Sequence, residues 1–300
     1  FENEVNGGTT GDIYLQPNIM DVTITNNKVR GSGSHGLKTV FFTGGTIDEV
    51  MKGLIISNNQ IHTTTNTSMT VAASSDVTIS DNICDGQLLT LSRDSAEPLL
   101  RCKITGNNFG NIVSTRSTLP VISDNTAAYV FVVSGNALLY NNDFYAQEDG
   151  DFNSAVRKMI GNRFTYTTEV VESIQSCSKI VGNTFTFEVT TASYPLDVNF
   201  NSTTPINGTF SNNVILADNS ARPLRIGGDS SCINSNTITN TGADDFAMSI
   251  YSVDCTLTGN TLSAGFIRLE TAALGNVIVG NGAKISEASP GGNIIASNRV

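Results

Sequence analysis

Apolar residues recur along this chain three places before and two places after an asparagine. Ile24 and Val29 flank Asn27, Ile56 and Ile61 flank Asn59, and Leu139 and Phe144 flank Asn142. Ile233 and Ile238 flank Asn236, and Leu257 and Leu262 flank Asn260. The same pattern surrounds Asn82, Asn107, Asn125, Asn162, Asn183, Asn213, Asn281 and Asn298, giving thirteen copies. The residue before each asparagine is Gly, Asn, Asp or Ser. Gly, Asn and Asp accept a left-handed backbone at small cost, so each pair predicts a sharp corner. Around the corners, polar and apolar residues alternate, as in Asp76-Val77-Thr78-Ile79-Ser80, which is the period of a strand. No segment shows a convincing capped, amphipathic helical period.

The mean interval between these asparagines is about 22–23 residues, a period that marks a solenoid. Short strands and one polar corner per period predict an all-β parallel β-helix of about thirteen coils. One coil cannot bury its apolar face alone, whereas stacked coils bury a continuous column. A regular repeat serves every coil, which favours an amide ladder between the asparagines over a ligand site. Residues 1–20 precede the first clear repeat and are expected to form a lead-in, with residues 21–300 a single solenoid domain. The chain opens at Phe1 and stops at Val300 inside a repeat without a polar cap. It is therefore expected to be a fragment, a processed product or a domain with flanks elsewhere.

Composition narrows the function classes. The net charge of −10 argues against nucleic acid and against an anionic membrane surface. No apolar run reaches transmembrane length and no signal peptide is visible, so no membrane insertion is expected. The five cysteines are odd in number, lack a CxxC spacing and predict buried free thiols. A disulfide between Cys232 and Cys255, at similar places on adjacent coils, is the alternative. With only His35 and His62 and no ligand cluster around them, no metal site is expected, and no cofactor motif appears.

The repeat of Ile-x-[Gly/Asn/Asp/Ser]-Asn-x-apolar resembles the right-handed parallel β-helix superfamily of pectate-lyase-like proteins, over about residues 21–300. That group includes polysaccharide lyases, glycoside hydrolases and the tailspikes of bacteriophages. Its catalytic signatures are mostly missing here. Ala243-Asp244-Asp245-Phe246 offers an aspartate pair, but the histidine of Ser34-His35-Gly36 lies far upstream, in the wrong order for a polygalacturonase. Arg222-Pro223-Leu224-Arg225 lacks the spacing of the pectate lyase arginine stretch.

Glycoside hydrolysis needs two carboxyl groups about 5 Å apart for retention or about 6.5–9.5 Å apart for inversion. Stacked coils bring carboxylates to such distances. Counted from each repeat asparagine, charged residues gather at offsets of about 8 to 12. Successive coils carry Arg222 and Arg225, then Asp244 and Asp245, then Arg268 and Glu270. Asp151, Glu172 and Arg116 fall in the same band on earlier coils. Asp244, Asp245 and Glu270 are the candidate catalytic residues. Arg222, Arg225 and Arg268 would hold an anionic or hydroxyl-rich sugar, with Tyr166 offering a ring. A surface salt-bridge ladder is the competing reading. Lesser candidates are the cluster Arg93, Asp94, Glu97 and Arg101, and the acidic run Gln147-Glu148-Asp149-Gly150-Asp151. The long intervals at residues 30–53 and 188–207 predict loops on one face, the second holding Tyr194 and Phe200.

The resemblance implies a tailspike-like protein of the virion or extracellular space, a homotrimer that binds and hydrolyses a bacterial surface polysaccharide. A non-catalytic shaft or adhesin and a secreted polysaccharide lyase are the alternatives.

Overall fold

The computed structural model describes residues 3–6, 13–15, 20–31, 37–39, 52–63, 67–73, 75–92, 99–114, 117–132, 136–147, 152, 156–175, 177–189, 194–200, 207–217, 222–240, 246–288 and 292–298. Among them every paired strand is parallel and no helix occurs, so the protein is an all-β parallel β-helix. Contacts group the chain into two compact units, Phe1–Phe144 and Tyr145–Val300.

Each unit stacks three faces. In the first unit one face runs through Thr23–Thr25, Lys52–Ser57, Ser75–Ser80, Leu99–Thr105, Val121–Ser123 and Ala137–Tyr140. Beyond the asparagine corner a second face holds Asn3–Asn6, Asn27–Gly31, Gln60–Thr63 and Ile83–Cys84. The third holds Ile13–Leu15, Leu37–Thr39, Thr67–Ala73, Gln87–Ser92, Asn111–Ser114 and Tyr129–Val132. Asn3–Asn6 and Ile13–Leu15, within residues 1–20, pair in parallel with Asn27–Gly31 and Leu37–Thr39.

The second unit repeats this plan. Its first face runs from Val156–Ile160 through Lys179–Val181, Thr209–Ser211, Cys232–Asn234, Thr256–Thr258 and Val277–Val279 to Ile294–Ala296. Its second holds Arg163–Tyr166, Thr184–Phe187, Val214–Ala217, Thr237–Asn240 and the start of Thr261–Leu269. Its third stacks Glu172–Gln175, Leu196–Asn199, Leu224–Gly227, Phe246–Ile250 and the end of Thr261–Leu269, followed by Gly282–Glu287. The residue 188–207 interval therefore contributes a regular strand to this face.

The repeat's apolar positions form the core. Ile56, Ile79, Ile104, Ile122 and Leu139 pair in one register column and are fully buried. Each such side chain contributes about 1.5–3 kcal/mol by leaving water. In the second unit, Phe164 stacks on Phe185 at 5.2 Å between ring centroids.

The corners obey one rule. All thirteen residues that precede a repeat asparagine have φ between 51° and 70°. This left-handed step turns the chain and aims the asparagine side chain inward. Within each unit, each described asparagine bond follows one pattern. The backbone N–H and Nδ2 of one asparagine both donate to Oδ1 of the next, at 2.8–3.1 Å, along Asn27 to Asn142 and along Asn162 to Asn298. The amide side chains thereby satisfy backbone groups that the corner leaves out of the sheets.

A second ladder runs at the corner before the first face of the second unit. Gly208 N–H donates to Ser231 Oγ, Ser231 N–H to Cys255 Sγ, Cys255 N–H to Asn276 Oδ1 and Asn276 N–H to Asn293 Oδ1. Ser230, Asp254, Gly275 and Gly292 precede its members, again with positive φ. Ser, Cys and Asn alternate as acceptors, so no single letter repeats to reveal it. Cys255 is buried in this ladder while Cys232 faces outward in register with Thr256, and all five cysteines are free thiols.

Candidate functional site

The third face of the second unit carries a cluster of charged and aromatic side chains. Leu196, Val198, Leu224, Ile226, Met248 and Ile250 pack inward, and Phe246–Ile250 is buried along its whole length. Between them Asp197 and Arg225 reach the surface, while Ser249 is covered. Register pairs Asp197 with Arg225, Arg225 with Ser249, and Ser249 with Arg268, forming one column. A second column begins with Asn199 beside Gly227. The Tyr251 amide donates to the Ile226 carbonyl and the Glu270 amide to the Ile250 carbonyl, so Tyr251 and Glu270 continue it. Tyr194, Arg222 and Phe246 lie at the strand entrances.

Charge on this face is arranged in pairs. Arg225 grips Asp197 with a two-pronged hydrogen bond, Nε to Oδ1 at 2.8 Å and Nη2 to Oδ2. That bond raises the guanidinium's pKa further. Glu270 accepts from Ser249 Oγ at 2.8 Å and lies 3.2 Å from Arg268 Nε. The carboxylates are mostly covered, with Asp197 and Glu270 side chains 16% and 12% exposed, while Arg225 and Arg268 remain 40% and 38% exposed.

Aromatic rings bracket the guanidiniums. Arg225 stands 5.2 Å from the Tyr194 ring centre and 5.8 Å from that of Tyr251. Phe246 has Arg222 at 4.6 Å and Arg268 at 4.8 Å. Such contacts contribute about 0.5–1 kcal/mol each at exposed sites and fix the arginine heads. Burial pushes the Tyr251 phenol up, and its hydrogen bond with Tyr194 adds to the rise, so the ring is neutral at physiological pH. The face therefore offers fixed N–H donors, carboxylate acceptors and flat rings on consecutive coils.

Of the residues singled out in the sequence, Arg222, Arg225, Arg268 and Glu270 come together here. Asp244 and Asp245 lie outside the described residues, as do Arg93, Asp94, Glu97, Arg116, Glu148, Asp149, Asp151 and His35. Tyr166 is no surface ring. It is 0% exposed and stacked on Phe187 at 4.6 Å, because it falls on the inward phase of Arg163–Tyr166. Glu172 is likewise buried. It pairs with Leu196, one residue out of phase with the Asp197 column, and in a strand one residue changes the face.

Sequence reasoning missed Asp197, Asn199, Gly227, Ser249 and Tyr251. Coils of unequal length displace their offsets: Asp197 follows Asn183 by 14 residues and Tyr251 follows Asn236 by 15, outside the band of 8 to 12. Tyr194, noted only as a loop aromatic, borders the same face.

Elsewhere, Arg101 makes a two-pronged bond with Asp76, with Nη2 to Oδ2 at 2.7 Å. The pair borders a hollow of about 400 Å³ in the first unit, beside Asp21 and Gly53. Both partners are well exposed, which marks the contact as a surface ion pair. His62 Nδ1 lies 3.4 Å from Asp85 Oδ2. Among the described residues no group of three His, Cys, Asp or Glu is placed to hold a metal, and no helix is long and apolar enough to cross a membrane. No protein family, characterised protein or solved structure matches the chain.

Proposed function

We propose that this chain is a tailspike-like β-helix that binds a bacterial surface polysaccharide on the third face of its second unit and hydrolyses it. One observation carries the reading. Two carboxylates, each held by an arginine, share one outer face with the rings of Tyr194 and Tyr251. Sugars combine flat apolar faces with vicinal hydroxyls, and this face supplies rings beside paired donors and acceptors. Coils repeat about every 4.8 Å, so carboxylates one or two coils apart approach the separations for retaining or inverting hydrolysis. Glu270 is the proposed carboxylate within the described face, with Asp244 or Asp245 as its counterpart. Arg222, Arg225 and Arg268 orient the sugar. The proposed setting is the virion or extracellular space, with the chain assembled as a homotrimer.

The test is incubation with capsules and O-antigens from candidate hosts, followed by assay of new reducing ends. Wild-type protein should release them, and Glu270→Gln and the double variant Asp244→Asn/Asp245→Asn should each abolish release while binding persists. Release undiminished in both variants removes these residues from the chemistry. Unsaturated, ultraviolet-absorbing products would instead identify a lyase. A binding-only adhesin is the second reading. It is favoured by the commitment of both described carboxylates to arginines, and it predicts retained binding with no reducing ends.

A further inference from the structure

Gly227 interrupts an otherwise side-chain-bearing face. It ends the strand Leu224–Gly227, its φ is not left-handed, and a Cβ built there meets only the Asn199 side chain at 3.7 Å and the Val198 carbonyl at 4.0 Å. Neither backbone geometry nor packing requires glycine at this position. One use of a glycine on a strand is the close approach of a ligand to the backbone. The gap it leaves is a hollow of about 260 Å³ lined by Asp197, Asn199, Arg225, Gly227 and Tyr251. Pockets for drug-sized ligands begin at about 300 Å³, so this one suits a single sugar ring.

We infer that the notch at Gly227 is a subsite for one neutral hexose residue of the polysaccharide, an inference that rests on the glycan-binding reading above. The Tyr251 ring, 38% exposed, walls the notch on one coil. The Asn199 amide, donor and acceptor at once, faces it from the coil on the other side. Arg225 spends Nε and Nη2 on Asp197 and has further N–H donors, and the Asp197 carboxylate has further lone pairs. Adjacent donor and acceptor on one rigid fork match two neighbouring hydroxyls.

Charge selects the neutral class. Arg225 is already balanced by Asp197 and Arg268 by Glu270, so an incoming carboxylate would compete with a resident one. The whole chain carries −10, which repels a polyanion.

The test titrates the ¹⁵N-labelled full chain with neutral hexose tetrasaccharides of gluco, manno and galacto type, and with oligogalacturonate, at low and high salt. At least one neutral probe should move the Gly227 and Asn199 amide signals with an affinity indifferent to salt. Gly227→Val should weaken that binding by about tenfold or more at unchanged melting temperature, and Gly227→Ala should weaken it less. Gly227→Ser replaces the valine variant if that chain fails to fold. Binding of oligogalacturonate alone, falling with salt, overturns the neutral class and leaves the glycan reading standing. Neutral binding that ignores Gly227→Val, or binding of intact polysaccharide without any probe, overturns the notch and likewise leaves the glycan reading standing. If neither probes nor intact surface polysaccharides bind, both readings fall.

Discussion

Replacing Asn236 tests the amide ladder that turns the chain. Asn236 is 1% exposed in the second unit. Its Oδ1 accepts from the backbone N–H and Nδ2 of Asn213, both at 3.0 Å. Its Nδ2 donates to the Phe210 carbonyl and to Asn260 Oδ1, each at 2.9 Å. Alanine removes all four bonds. The Asn213 backbone N–H loses its acceptor inside the solenoid, at about 1–3 kcal/mol for a stranded buried group. Asn213 Nδ2 keeps the Ile180 carbonyl and Asn260 Oδ1 keeps the Asn236 N–H, so they and the Phe210 carbonyl lose about 1 kcal/mol each at most. The expected loss is about 1–6 kcal/mol, concentrated in the coils around residue 236 because solenoid stability is a nearest-neighbour property. Urea denaturation of the full chain, with hydrogen exchange at the Asn213 amide, measures it. A loss under about 1 kcal/mol with Asn213 still protected would refute the ladder's role. Asn236→Asp adds a sign test. Its second oxygen would face the Phe210 carbonyl and Asn260 Oδ1, so folding favours the protonated acid and raises its pKa above the unfolded value of about 3.9. The neutral acid's contribution is then present below about pH 3.9 and lost as pH rises through the folded value. The deficit of Asn236→Asp relative to wild type must grow toward neutral pH, and a flat deficit contradicts the geometry.

Two further outcomes follow from the first unit and the thiols. Hydrogen bonds from Arg101 hold the Asp76 carboxyl down to about 2, and carbon-detected NMR titration should place its midpoint there. Any stability it contributes is present above the unfolded value near 3.9 and lost as pH falls through about 2; Arg101→Met should return the midpoint toward that unfolded value. Among the cysteines only Cys232 is half-exposed, while burial pushes the Cys102 and Cys177 thiols up to about 12. A thiol reagent should therefore label one cysteine per native chain by mass spectrometry and all five in denaturant; native labelling of Cys102 or Cys177 would contradict the packing.

The corners were legible because their chemistry repeats in letters. A left-handed residue followed by an inward amide needs Gly, Asn, Asp or Ser and then Asn, and the thirteen copies supply it. The second ladder was not legible, because Ser231, Cys255, Asn276 and Asn293 perform one task with three side chains. The polar face was partly legible. Arg222, Arg225, Arg268 and Glu270 fell in one offset band, but Glu172 in the same band faces inward and Asp197 outside it faces the site.

The amino-acid sequence by itself determined the period, the corners and the apolar columns, because local backbone preference and alternation fix them within a single coil. Tertiary structure decided which polar residues meet. Contacts between coils depend on register summed over loops of unequal length, and a slip of one residue carries a side chain from solvent into the core. That is why Tyr166 lies stacked in the interior while Tyr251, Asp197 and the gap at Gly227 share an outer face.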